Sequence, residues 1–149
     1  MISSIGILLT WVGSLNLIIL FFSNNKKIFQ SLVRINLLIH FMLFCLLEIG
    51  LFLDDFSIFY IANHSAATTP PIYKFASLWG SLDGSILLWN FVLSIYFYLY
   101  IKFYKSTTEI YDIKIFALMI LFFNGFTIFS SSPFAGCVQL ASIGLSLRH

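Results

Sequence analysis

The sequence predicts an all-α membrane protein with about four transmembrane helices and one long outer loop between the second and third. Three observations carry that prediction. Of 149 residues, 60% are hydrophobic and only 9% are charged, against roughly 25% charged in a soluble domain. The apolar residues fall into runs of about 20, the length that crosses a hydrocarbon core. Each run ends at a polar break, and in lipid a spanning run must satisfy its own backbone, which makes these runs helices. This balance excludes a soluble enzyme domain. The net charge of +2, carried by scattered Lys and Arg, offers no basic face for nucleic acid.

The chain reads as one membrane domain, 1–149. The first span covers about 5–22, with Thr10, Ser14 and Asn16 as mild polar members, and stops at Ser23-Asn24-Asn25-Lys26-Lys27. The second covers about 33–53 and is closed by Asp54-Asp55. An outer loop, 54–83, follows. The third span, about 84–101, opens at Gly84-Ser85 and is stopped by Lys102 and Lys105. The fourth, about 113–130, ends in Ser130-Ser131-Ser132-Pro133. The segment 134–149 is rich in small residues and reads as interfacial or as a partial helix, and the ending at Ser-Leu-Arg-His is expected to be a truncation or the end of one piece of a divided protein.

Basic residues set the expected orientation. Lys26, Lys27 and Arg34 follow the first span, and Lys102, Lys105 and Lys114 follow the third. The stretch between spans two and three carries Lys74 alone against Asp54, Asp55 and Asp83. The basic connections are therefore expected to face inward, with both termini and the 54–83 stretch outside. No basic n-region, cleavage site or Arg-rich transit segment is evident at the N-terminus. The Phe- and Ile-rich composition suits an AT-rich organelle or endosymbiont genome. The expected location is the mitochondrial inner membrane, or alternatively a bacterial plasma membrane, with the N-terminus on the intermembrane-space or periplasmic side.

Few residues offer chemistry. Cys45 and Cys137 form no CxxC or Cys/His pattern, and no metal site or catalytic residue is expected. His40 and Glu48, eight residues apart in the second span, differ by about 80° around a helix and share a broad face. They suit a proton path or a heme axial ligand, or else a His paired with another helix and a Glu near the membrane boundary. Asn16, Asn36, Asn90 and Asn124 place an amide in or near each span for interhelical bonding, and Gly13, Gly50 and Gly125 allow close approach. Tyr96, Phe97, Tyr98, Tyr100, Phe103 and Tyr104 read as an interfacial aromatic belt. In the outer stretch, Gly80 and Gly84 permit sharp turns and close contact, and Asp83 and Ser85 are expected to cap the third span. Trp79 offers a docking surface for a flat apolar ligand or a partner, with Trp89 deeper in the membrane.

The same stretch resembles the CcmF family, the membrane component of cytochrome c maturation associated with heme ligation. Asp55, Phe56, Ser57, Tyr60, Ile61, Ala62 and Ser65 match or nearly match its first part. Pro71, Tyr73, Lys74, Ala76, Trp79, Gly80, Gly84, Ser85, Leu87, Leu88 and Trp89 match its second. Ser132-Pro133-Phe134 is similar to the Asn-Pro-Phe after the family's fourth helix. Two departures stand out. Leu82 and Asp83 replace a His-Glu pair, and the family's Trp-rich heme-handling segment has no counterpart here.

The resemblance implies the N-terminal subunit of a divided heme lyase complex. Its membrane scaffold and outer docking loop, with Tyr73, Trp79, Gly80, Asp83, Gly84, Ser85 and Trp89, would serve covalent heme attachment to apocytochrome c. Heme is expected in the assembled complex rather than on this chain alone. The implied partners are the other chain or chains with the Trp-rich segment, a heme chaperone, apocytochrome c and the lipid bilayer. The alternative is a structural subunit of a mitochondrial respiratory-chain complex with no heme role.

Overall fold

A computed structural model describes residues 2–103, 109–131 and 133–136. In chain order its helices are α1 (Ile2–Phe22), α2 (Lys26–Phe52), α3 (Phe59–His64), α4 (Pro71–Ser77), α5 (Leu82–Phe103) and α6 (Ile110–Phe126). A π-helical turn, Thr127–Ser131, continues α6. Among the described residues, four helices are long and apolar enough to cross a membrane: α1, α2, α5 and α6 with its extension. The predicted all-α class with four candidate spans is therefore observed. Tyr104, Lys105, Ser132 and the segment 137–149, with Cys137, lie outside the described residues.

The long helices form a closed ring in which α1 packs on α2 and α6, and α5 packs on the same two. Its interior has three layers. At one end, Ile39, Leu43, Leu47 and Leu51 of α2 meet Leu87 of α5, with Ile58, Ile61, Leu78 and Phe134. At the other, Leu17, Leu20, Phe29, Val33, Phe97, Ile101, Ile113 and Ile120 form a second apolar cluster. Between them the helices bring together buried polar side chains, including Ser14, Asn36, His40, Asn90, Ser94, Asn124 and Thr127. Asn36 Nδ2 donates to Ser94 Oγ at 3.0 Å, Asn90 Nδ2 to Thr127 Oγ1 at 3.1 Å and Asn124 Nδ2 to Ser14 Oγ at 3.1 Å. Asn16 Nδ2 donates to the Leu32 carbonyl at 3.0 Å. Every one of the four amides thus ties two elements, at about 0.6–2 kcal/mol per bond in a membrane.

Close helix approach uses only some of the glycines. A Cβ on Gly13 would lie 3.3 Å from the Ile39 side chain, and one on Gly50 would lie 2.8 Å from Ile61. Gly125 has nothing within 4 Å of that position, which corrects its expected packing role. The aromatic belt also needs correction. Phe97 is fully buried and stacks on Phe116 at 5.2 Å, because it shares the inward face with Ser94 and Ile101. Tyr100 donates to Asp112 at 2.7 Å, joining α5 to the first turn of α6, while Tyr96 is exposed.

The stretch 54–83 is more ordered than a loop, since it contains α3 and α4. α2 is followed by Asp54, a non-glycine residue with a left-handed φ of 53°. Asp55 N–H then returns to the Gly50 carbonyl at 3.0 Å, satisfying an end group of α2. Pro71 starts α4 at a position where its missing N–H is harmless. Pro133–Gly136 folds back onto the same end of the ring. There Ser3 Oγ donates to the Phe134 carbonyl at 2.6 Å, and Phe59 N–H donates to the Ala135 carbonyl at 2.9 Å. A Cβ on Gly6 would collide with the Phe134 ring.

Candidate functional site

The candidate residues of the 54–83 stretch and the start of α5 separate into a buried frame and an exposed surface. The frame begins with Lys74. Only 6% of this residue is exposed, and its Nζ lies 2.6 Å from each carboxylate oxygen of Asp54. The bridge pins α4 to the end of α2. Tyr60 of α3 is equally enclosed, and its hydroxyl lies 2.7 Å from the Ser77 carbonyl and 3.2 Å from that of Leu78. It also accepts from Ser81 Oγ at 3.1 Å. Burial raises the Tyr60 phenol above its ordinary pKa, against the opposing bond from Ser81, and keeps it protonated. Gly84 completes the frame: a Cβ there would overlap the Leu78 carbonyl oxygen and the Tyr60 hydroxyl.

Gly80 is different, because a Cβ would meet nothing closer than 3.6 Å. Its expected close contact is absent. The expected caps are corrected too. α5 starts at Leu82, two residues earlier than Gly84, so Ser85 already lies inside the helix. Ser85 Oγ donates backward to the Leu82 carbonyl at 2.8 Å instead of accepting a free N–H. Asp83 sits in the first turn, where its negative charge suits the helix dipole.

On this frame stand the exposed side chains. Tyr73, Phe75, Trp79 and Leu82 are exposed, and Trp79 meets Phe75 edge-on at 5.2 Å. Trp89, two turns along α5 from Leu82, is 57% exposed at a depth suited to lipid or another helix. This arrangement provides an aromatic surface on a fixed support. Replacing Tyr60 with Phe removes the hydroxyl bonds but keeps the ring, and is expected to lower stability by about 1–1.5 kcal/mol. Thermal unfolding in detergent measures it; an unchanged midpoint would show that the hydroxyl does not hold the frame.

His40 and Glu48 are not brought together, as eight helical residues separate them by about 12 Å along α2. His40 is fully buried, with Nδ1 at 2.9 Å from the Asn36 carbonyl of its own helix. The Asn124 side chain of α6 lies beside the ring, a polar neighbour on another helix as expected. Nε2 makes no hydrogen bond of full geometry among the described residues. Gly13 of α1 packs against both: a Cβ there would be 3.9 Å from His40 Cε1 and 3.4 Å from Asn124 Nδ2. Glu48 is buried near the end of α2 that carries the frame, and neither of its oxygens has a hydrogen-bond partner among the described residues. His64 stacks on Tyr60 at 4.6 Å, with its Nδ1 at 2.9 Å from the Tyr60 carbonyl. Among the described residues, no three His, Cys, Asp or Glu side chains are grouped to hold a metal, and Cys45 is a free thiol.

The structural weight of Tyr60 and Lys74 is not evident from residue type, which draws the eye to the exposed tryptophans instead. A signal exists for Lys74: it is the sole Lys or Arg in a stretch flanked by aspartates.

No family model matches the chain. It is 34% identical over 85 residues to the cytochrome c-type biogenesis protein CcmF of Pseudomonas aeruginosa, covering 55% of this chain and 13% of that protein. It is 33% identical over 116 residues to the cytochrome c-type biogenesis protein NrfE of Haemophilus influenzae, covering 72% of this chain and 18% of NrfE. A solved structure, Cytochrome c Heme Lyase CcmF, superposes with a TM-score of 0.68 at 22% identity, over 89% of this chain and 23% of that one. That likeness concerns the fold. The chain spans less than a fifth of the length of these two relatives.

Proposed function

From the premise that this chain belongs to the CcmF family of cytochrome c-type biogenesis proteins, we propose that it is the N-terminal part of a divided heme lyase. In this reading it supplies membrane scaffold and an outer docking surface, while other chains hold heme. The observation that carries the proposal is the exposed set of Tyr73, Trp79 and Trp89 beside a frame of buried Tyr60, Lys74 and Gly84. Such aromatic side chains contribute strongly to binding when a partner covers them. Heme is the substrate of the complete assembly, in which thiol S–H groups of apocytochrome c add across the heme vinyl groups to form thioethers. The full burial of His40 between the helices supports placing heme on another chain. Mitochondrial inner membrane and an outward-facing docking surface complete the proposal.

Affinity purification tests it directly. The chain is expected to recover a second polypeptide with a Trp-rich segment, together with heme, a heme chaperone and apocytochrome c in the functioning assembly. The W79A/W89A double variant should recover at least about tenfold less of the second chain while its unfolding midpoint stays close to that of the parent. Equal recovery would remove the docking role. Leu82 in place of the family's His favours one other reading, a structural subunit of a respiratory-chain complex. Comigration with an oxidase or dehydrogenase on a native gel, without heme-lyase components, would select that reading.

A further inference from the structure

At the end of the ring opposite the aromatic surface, a cleft of about 280 Å³ lies between the start of α2 and the end of α5. Gln30, Val33, Arg34, Tyr98, Ile101 and Lys102 line it. Val33 and Ile101 are buried and form an apolar floor, while Arg34 and Lys102 are exposed at the rim. Arg34 Nε donates to the Gln30 carbonyl at 3.1 Å, which orients the guanidinium and leaves its Nη groups available. Lys102 Nζ lies 5.9 Å from the Tyr98 ring centre and 5.8 Å from that of Phe103. Neither cation has a carboxylate partner among the described residues, where the ion pair formed is Lys74–Asp54.

The seam below the cleft is apolar. Leu38 and Phe41, one and two turns beyond Arg34, are exposed on a helix long and apolar enough to cross a membrane. Phe91 of α5 meets Phe41 at 5.7 Å and Phe44 at 5.3 Å across the same helix pair. Two cations above an exposed apolar seam suit an amphiphile with a negative head. A guanidinium presents paired N–H groups to phosphate oxygens, and an ammonium adds a point charge.

We propose that this cleft binds the phosphate headgroup of an anionic phospholipid, whose acyl chain lies along the Leu38–Phe41–Phe91 seam. The lipid headgroup is favoured over free phosphate because Lys102 lies in the last turn of α5 and Arg34 within about two turns of the start of the α2 span, one and two turns from exposed apolar side chains on the same helix. Basic pockets between membrane helices are recurrent headgroup sites. The inference is independent of heme chemistry.

The test uses the full chain purified from its membrane with the subunits that accompany it. Native mass spectrometry measures retention of phosphatidylglycerol and phosphatidylcholine, and thermal unfolding is followed with each lipid or inorganic phosphate added. Phosphatidylglycerol is expected to be retained and to raise the midpoint; phosphatidylcholine and phosphate are not. R34Q/K102Q should weaken phosphatidylglycerol retention by roughly 25-fold, about fivefold for each lost charge, while R34K/K102R keeps most of it. Equal retention of both lipids, or no loss in R34Q/K102Q, would overturn the proposal. Stabilisation by phosphate alone would assign a free-anion site, and an acidic polypeptide in the cleft without lipid would replace the lipid by a protein partner. If R34Q/K102Q fails to accumulate, the comparison of the two lipids on the parent protein decides.

Discussion

Gly84→Ala is expected to destabilise the protein by about 3 kcal/mol, the upper part of the usual range for overpacking. The added methyl would overlap the Leu78 carbonyl oxygen and the Tyr60 hydroxyl. Neither can yield cheaply. The carbonyl belongs to the backbone between α4 and α5, and the hydroxyl is held by Ser77 and Ser81. α5 must move away from the frame or lose its first turn. For a chain of this size the unfolding midpoint should fall by roughly 10 °C. Gly80→Ala is the matched control, because its new methyl meets only ordinary contacts. It is expected to stay within about 0.5 kcal/mol of the parent. Circular dichroism melts in detergent measure both; similar midpoints for the two variants would refute the frame.

The second large effect is expected at the Lys74–Asp54 bridge. Asp54→Asn preserves a side chain that tolerates left-handed backbone but removes the charge facing a buried ammonium. The loss should be about 2–3 kcal/mol, since removing one member of a buried pair leaves the other uncompensated. The Asp54 side chain is 25% exposed, which places the effect below that of a fully buried pair. Adding Lys74→Met to Asp54→Asn removes the stranded charge and should recover part of the loss. A double-mutant cycle on unfolding midpoints measures this coupling. Additive losses would show that the bridge is incidental.

Both effects sit where the sequence is only partly readable. The spanning helices are legible because lipid demands long apolar runs, and the polar breaks at Ser23 and Asp54 bracket them. α3 and α4 are harder to see. Each is too short to be stable alone and relies on tertiary contacts, here Tyr60 against Ser77 and Lys74 against Asp54. Pro71 is a usable start signal for α4. The two glycines look alike in sequence, and only the approach of Leu78 distinguishes Gly84 from Gly80. Likewise, Asp83 and Ser85 have capping chemistry, but α5 starts before them. Phe97 sits among tyrosines that suggest a belt; the period of 3.6 turns it to the core with Ser94 and Ile101 instead.

The polar middle layer also has a geometric consequence for the whole bundle. Apolar layers alone tolerate sliding, because one leucine can replace another after a shift of a helical turn. The paired amides and hydroxyls cannot be exchanged in this way. A one-turn slip, about 5.4 Å, would separate Asn36 from Ser94 and Asn90 from Thr127. Those donors would then face hydrocarbon. The layer therefore acts as a vernier: it fixes the relative heights of the helices, and through them the level at which Trp79 and Trp89 stand in the membrane.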